Sequence, residues 1–264
     1  MNDFSEIQHG IDCLIKAWES NAGLALQAML ERIQQGLRDD LAKLFDGHDD
    51  AFRIGTFIMS LSEHDDAEDN YGRLSMWRAY GGTAGVALVL NNTVFASETD
   101  EMHVFSSPVF YHDSDGFCVW FQRWAGNLLA AEAALLEMGG EVVRNWLFMV
   151  FRSFALCTKH PGFAEEREWR VFHSPMFEGE SPWVETAVEI VRGVPQPVMK
   201  LNLKDDPSKG VVGVAPDTLI NRIIIGPCDY PLQVRAGLVM ALREIGIEDG
   251  LNFMWMALIP LRHA

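Results

Sequence analysis

The sequence has few of the features that would tie it to nucleic acid, membrane or metal. Its 264 residues hold 21 Lys and Arg against 37 Asp and Glu, a net charge of −16, and nowhere do three basic residues stand in a row. A chain this acidic repels phosphate backbones and anionic headgroups, which disfavours nucleic-acid and membrane partners. The most apolar stretch, Trp146 to Cys157, is interrupted by Arg152. It falls short of the ~20 residues a bilayer span needs and reads as a core helix. The four cysteines, Cys13, Cys118, Cys157 and Cys228, form no C-x-x-C pair; zinc ribbons and thioredoxin-type motifs are excluded, and free thiols in a reducing cytoplasm fit best. No H-E-x-x-H and no His/Cys cluster at ligand spacing is present, and His9 with Cys13 one turn later is too little for zinc, so no metal is expected. There is no G-x-S-x-G and no convincing Cys/His arrangement for hydrolase chemistry. Met1 to Glu6 lack the basic and apolar regions of a secretory signal, which again predicts a cytoplasmic protein.

What is there is an ordinary globular composition, 48% hydrophobic and 22% charged, long enough to bury a core without disulfides. No repeat, low-complexity segment or Pro/Ser-rich linker marks a boundary, so one domain over 1–264 is expected. Apolar residues at helical spacing from Ile11 to Phe45 predict two helices or one kinked helix, interrupted near Asn21 to Gly23 or at Gly36. Further helices are expected over Gly116 to Met138, Glu141 to Thr158 and Pro231 to Ile245. Strands are expected over Ile54 to Ser62, Gly85 to Leu90, His103 to Tyr111, Trp169 to His173, Val198 to Leu203, Val211 to Val214, Ile220 to Ile225 and Leu251 to Met256. The unbroken apolar run Gly85 to Leu90 reads as buried on both faces. Helices and strands mix without strict βαβ alternation, which predicts an α+β fold with a single mixed or antiparallel sheet and several packed helices.

Three places gather chemistry. Trp77, Arg78 and Tyr80 stand beside Gly81 and Gly82, a pattern that serves a stacking platform for a base or nicotinamide ring and equally a helix anchored to a sheet by buried aromatics. The segment EEREWR, Glu165 to Arg170, opens a strand. Alternation would put Glu166, Glu168 and Arg170 on one face, giving a general base or ribose-binding carboxylate beside an anion-binding guanidinium, or else an ion-paired edge strand. Ile220 to Pro231 (INRIIIGPCDYP) is a strand, turn and helix start without the glycine pattern of a phosphate loop.

Four pieces taken in order resemble a bacterial family, domain of unknown function 2971. They are Asn2-Asp3 with Glu6 and His9-Gly10; SLSE at Ser60 to Glu63, leading to Met76-Trp77-Arg78, Tyr80 and Gly85-Val86-Ala87; EREWR at Glu166 to Arg170; and IIIGP at Ile223 to Pro227 with Ile259 to Arg262. The family's positions carry over as Asn2, Asp3, Glu6, Trp77, Tyr80, Glu168, Trp169, Arg170 and Arg262. Members usually have a further strand region before the Asn-Asp-x-x-Glu motif, whereas this sequence starts on it, so a chain lacking part of the family's cleft is expected. That missing segment resembles the opening of an ADP-ribosyltransferase-type fold, which implies such a sheet without its first strand and NAD as a substrate.

Two functions compete. In the first, the protein is an NAD- or nucleotide-using transferase or glycohydrolase, of the kind found in toxins and phage-defence effectors. Trp77 and Tyr80 would stack the ring, Arg170 or Arg262 would hold the diphosphate, and Glu168 would stabilise an oxocarbenium-like centre, with Asn2, Asp3 and Glu6 completing the ligand site. In the second, the protein is a non-catalytic ligand-sensing or interaction domain whose acidic surface meets a basic partner, and the same residues are structural. Of the two, the enzyme is the stronger expectation, because two guanidiniums, a carboxylate and paired aromatics are more than packing demands.

Overall fold

A computed structural model describes residues 4–48, 52, 54–96, 99–191 and 193–259. In chain order the principal elements are α1 (Phe4–Glu19), α2 (Asn21–Ile33), α3 (Leu37–Asp46), β1 (Phe57–Ser62), α4 (Leu74–Tyr80), β2 (Val86–Leu90), β3 (Phe105–Pro108), β4 (Phe110–Tyr111), α5 (Ser114–Ala130), α6 (Glu132–Met138), α7 (Gly140–Cys157), β5 (Thr158–Lys159) and β6 (Glu168–His173). They continue with α8 (Pro175–Glu178), β7 (Val184–Val191), β8 (Val194–Leu201), α9 (Pro216–Leu219), β9 (Ile220–Ile225), α10 (Pro231–Glu244) and β10 (Met254–Met256). The mixture is α+β, but the described strands form four small sheets where the sequence suggested one. Each sheet has only two or three strands, because helices and turns divide the strands before a longer ladder can build. Among the described residues no helix is long and apolar enough to cross a membrane.

The chain divides into two compact units, each assembled from two separate stretches: Met1–Ser62 with Val104–Gly179, and Glu63–His103 with Glu180–Ala264. The first unit is a helical core with a small sheet. The apolar run from Ile11 to Phe45 becomes three helices, because Ser20 caps α2 by accepting from the Gly23 N–H at 3.3 Å and Gly36 turns into α3 with φ 85°. Their inward faces meet α5 and α7 through Leu26, Met29, Leu30, Phe117, Phe121 and Phe151. The long helix expected from Gly116 breaks at Ala131 into α5 and α6, and Gly139 at φ 84° ends α6. The sheet runs β1-β6-β3 with β6 central and both neighbours antiparallel.

At Gly10 the approach of α1 to α7 is so close that an added Cβ would sit 2.1 Å from the Ala155 carbonyl oxygen. Alanine raises helix propensity by about 1 kcal/mol, but two backbones must separate to admit it, and overpacking of this kind costs typically about 1–3 kcal/mol or more. Gly10→Ala is therefore expected to lower the melting temperature. A calorimetric Tm at or above that of the unsubstituted chain would contradict the contact.

In the second unit β9 is central, antiparallel to β2 and parallel to β10. The burial on both faces expected for Gly85 to Leu90 belongs instead to β9, where Ile223, Ile224 and Ile225 are all buried. As an edge strand β2 leaves Val86 and Leu88 exposed. The strand expected at Val211 to Val214 is replaced by a loop joined only by the bridge Asp206 to Val211. The reason is local: the Asp205 carboxylate accepts from the N–H groups of Gly213, Val214 and Ala215 at 3.1, 2.8 and 2.8 Å, so those donors are not free for a ladder. Burial raises the Asp205 carboxyl, and these three bonds outweigh it and bring the group below its usual range. One strand absent from the sequence reading, β7, pairs with β8 in a separate two-stranded ribbon.

Candidate functional site

Strand alternation on β6 directs Glu168, Arg170 and Phe172 inward, and all three are buried. The sequence had placed Glu166 on the same strand face, whereas β6 begins at Glu168 and Glu166 ends the preceding 3-10 turn. Arg167 bridges the two with φ 46°, a left-handed conformation uncommon for a residue with a Cβ.

Glu168 is held on both carboxylate oxygens. Its Oε1 accepts from Ser60 Oγ at 2.5 Å and Arg170 Nε at 2.9 Å, and its Oε2 accepts from Lys159 Nζ at 2.9 Å. Its backbone N–H donates to the Tyr111 hydroxyl at 2.7 Å. Lys159 Nζ also reaches Glu166 Oε2 at 2.7 Å and lies 4.8 Å from the centre of the Phe163 ring. Arg170 Nη1 donates to the Leu156 carbonyl. Lys159 thus bridges Glu166 and Glu168 while Arg170 bonds Glu168, and the side chains of Glu168, Arg170 and Lys159 are no more than 5% exposed. Burial raises the Glu168 carboxyl; the Arg170 bond and charge, with Ser60 and Lys159, outweigh it and leave the group below its ordinary range. Glu168 is ionised within this network.

A second buried ion pair lies in the same unit. Arg152 donates through Nη1 to Glu178 Oε1 and through Nη2 to Glu178 Oε2 at 3.3 Å and Ser174 Oγ at 2.7 Å. Its guanidinium carbon is 5.4 Å from the Phe172 ring centre and 4.7 Å from that of Phe177. Neither Arg152 nor Lys159 was singled out as a site residue from sequence. The signal existed for Arg152, since a charge inside the most apolar helix of the chain must find a partner. Lys159, standing in the helix stop before Pro161, gave none.

The other aromatic candidates belong to the second unit. Trp77 on α4 is buried, and its indole N–H donates to the Tyr71 carbonyl at 2.7 Å. An added Cβ would lie 2.9 Å from the ring at Gly72 and 2.7 Å from it at Gly226, so glycine backbone packs directly against the indole. That contact accounts for the glycine of IIIGP, which ends β9 beside Trp77. Tyr80, at the end of α4, is 66% exposed. The structure therefore brings Glu168 and Arg170 together in the first unit and places Trp77 and Tyr80 in the second. Asn2, Asp3 and Arg262 lie outside the described residues, and Glu6 is described only as part of the α1 backbone.

The remaining chemistry is quiet. Burial pushes the Cys157 thiol up to about 11 and also raises Cys13, whose sulfur is 3.7 Å from His9 Nε2; neither is a thiolate at neutral pH. Among the described residues no group of three or more His, Cys, Asp or Glu is arranged to hold a metal ion. A cleft of about 550 Å³ at the α1–α2 turn and α5 is lined by Asn21, Cys118, Gln122 and neighbours, with none of the candidate residues in its wall.

Residues 76–171 match the family model described as Protein of unknown function (DUF2971). The match takes in Trp77, Tyr80, Glu168, Trp169 and Arg170, and leaves Asn2, Asp3, Glu6 and Arg262 outside it. No curated protein and no solved structure matches the chain.

Proposed function

We propose, for a chain that over residues 76–171 belongs to the DUF2971 family, a non-catalytic interaction role in which the residues most suggestive of catalysis are structural. The observation that carries this reading is the engagement of buried Glu168, whose two oxygens take three donors, one of them a lysine and one an arginine. A general base must offer a lone pair to a substrate proton within about 3 Å, and here three of the about four acceptor positions are taken by Ser60, Arg170 and Lys159 on a side chain that is 4% exposed. Trp77 supports the same reading, since its ring is covered and its N–H already has a carbonyl partner.

A second reading, an NAD- or nucleotide-using transferase or glycohydrolase, draws on one observation: Glu168 stays ionised although buried. An anion held in low dielectric is what stabilisation of an oxocarbenium-like centre requires. The two separate cleanly. Incubating the chain with NAD and following nicotinamide release is expected to show no turnover, and Trp77→Ala is expected to melt well below the unsubstituted chain. NAD turnover that disappears in Glu168→Gln while Tm stays unchanged would overturn the interaction reading and establish the second.

A further inference from the structure

The ribbon β7–β8 is joined by no other described strand. In its register Pro195 lies opposite Ile190 and Pro197 opposite Val188. Proline has no N–H to give a ladder, so these pairs occupy positions where the backbone groups of both strands point away from each other. The outward edge of β8 consequently lacks two donors. The outward edge of β7 keeps the N–H and C=O of Thr186, Val188 and Ile190. One edge is closed to a further strand and the other is open.

The faces differ as well. Alternation puts Val184, Thr186, Val188 and Ile190 on one face of β7 and Glu185 and Glu189 on the other. Val188 is 71% exposed and Ile190 75%, while across the ribbon Pro195 and Pro197 extend the same uncovered apolar surface. On the opposite face Lys200 is the register partner of Glu185 and bonds Glu189 at 2.5 Å, one cation for two carboxylates.

We propose that β7 is a docking edge for an extended segment of a partner protein in which apolar and basic residues alternate. The segment's backbone continues the ladder, its apolar residues cover Val188 and Ile190, and its basic residues stand beside Glu185 and Glu189. A second copy of β7 suits the edge less well, because it would bring two more glutamates to the same face of a chain already at −16. This inference rests on the interaction reading and names the partner's chemistry.

The test titrates the full chain into two fluorescently labelled synthetic peptides, one alternating Val and Lys, the other Val and Glu, and follows anisotropy. Binding of the Val/Lys peptide is expected to exceed that of the Val/Glu peptide by at least about tenfold. Val188→Pro, which removes an outward donor, is expected to weaken it comparably. Charge reversal through Glu185→Lys with Glu189→Lys leaves the backbone edge intact and is expected to invert the preference, which keeps the proposal testable if the proline variant misfolds. Absence of Val/Lys binding, or binding indifferent to these substitutions, overturns it. So does a dimer in sedimentation that Val188→Pro dissociates, which would assign the edge to a second copy. NAD turnover dependent on Glu168 would defeat the underlying reading whatever the peptides do.

Discussion

Arg170→Ala is expected to cost the chain about 3–5 kcal/mol, because removing one partner of a buried ion pair strands the other in low dielectric. The loss has three parts. Glu168 gives up the Nε donor at 2.9 Å, the Leu156 carbonyl loses its guanidinium, and Lys159 is left to face both Glu166 and Glu168. In a chain of this size each kcal/mol moves Tm by roughly 2–4 °C, so a fall of about 6–20 °C is expected in a calorimetric scan. Replacing both partners by apolar residues, Glu168→Leu with Arg170→Met, is expected to recover a large part of it, since a buried pair gains little over well-packed hydrophobic groups. A single variant that melts within a degree of the unsubstituted chain would remove the network from the stability of the fold.

The same group sets an acid limit. Because the folded Glu168 carboxyl lies below its ordinary value, it contributes stability that is fully present above the unfolded value of about 4.3. That contribution is lost as pH falls through the lower folded value. Glu168→Gln is therefore expected to start from a lower Tm at neutral pH and to lose less on acidification below about pH 4.

Glu178→Ala is the second large effect. It leaves Arg152, 1% exposed, without its carboxylate and with Ser174 Oγ as the remaining hydrogen-bond partner of its guanidinium among the described residues. The Ser174 backbone N–H, which donates to Glu178, loses its acceptor as well. The cost of an uncompensated buried cation is again about 3–5 kcal/mol. Arg152→Met is expected to be milder, because the methionine fills the volume between Phe172 and Phe177 and Glu178 keeps the Ser174 N–H as a donor. Urea unfolding of the two variants distinguishes the cases, and equal loss in both would mean that packing rather than charge dominates the site.

Much of the fold was legible in the sequence wherever a regular pattern met a local stop. Helical spacing, with Gly36, Gly139 and Pro231 as punctuation, marks out the helical stretches, but the run from Ile11 to Phe45 makes three helices where one or two were expected, and Gly116 to Met138 makes two. Alternation in EREWR correctly put Glu168 and Arg170 on one side of a strand, and the apolar run before Gly226 gave β9. These features depend on neighbours within a few residues. The partners of Glu168 do not: Ser60 and Tyr111 are 108 and 57 positions away and Lys159 sits in what reads as a helix stop. The same holds for Val211 to Val214, where Asp205 claims the donors of Gly213 and Val214, and for β2, whose apolar run became an edge. Periodicity and end signals are set by backbone geometry and so belong to the sequence itself. Which carboxylate is buried among donors, which glycine admits an indole and which strand edge stays open were decided only when distant segments packed, because burial and pairing are properties of the contact and not of either residue alone.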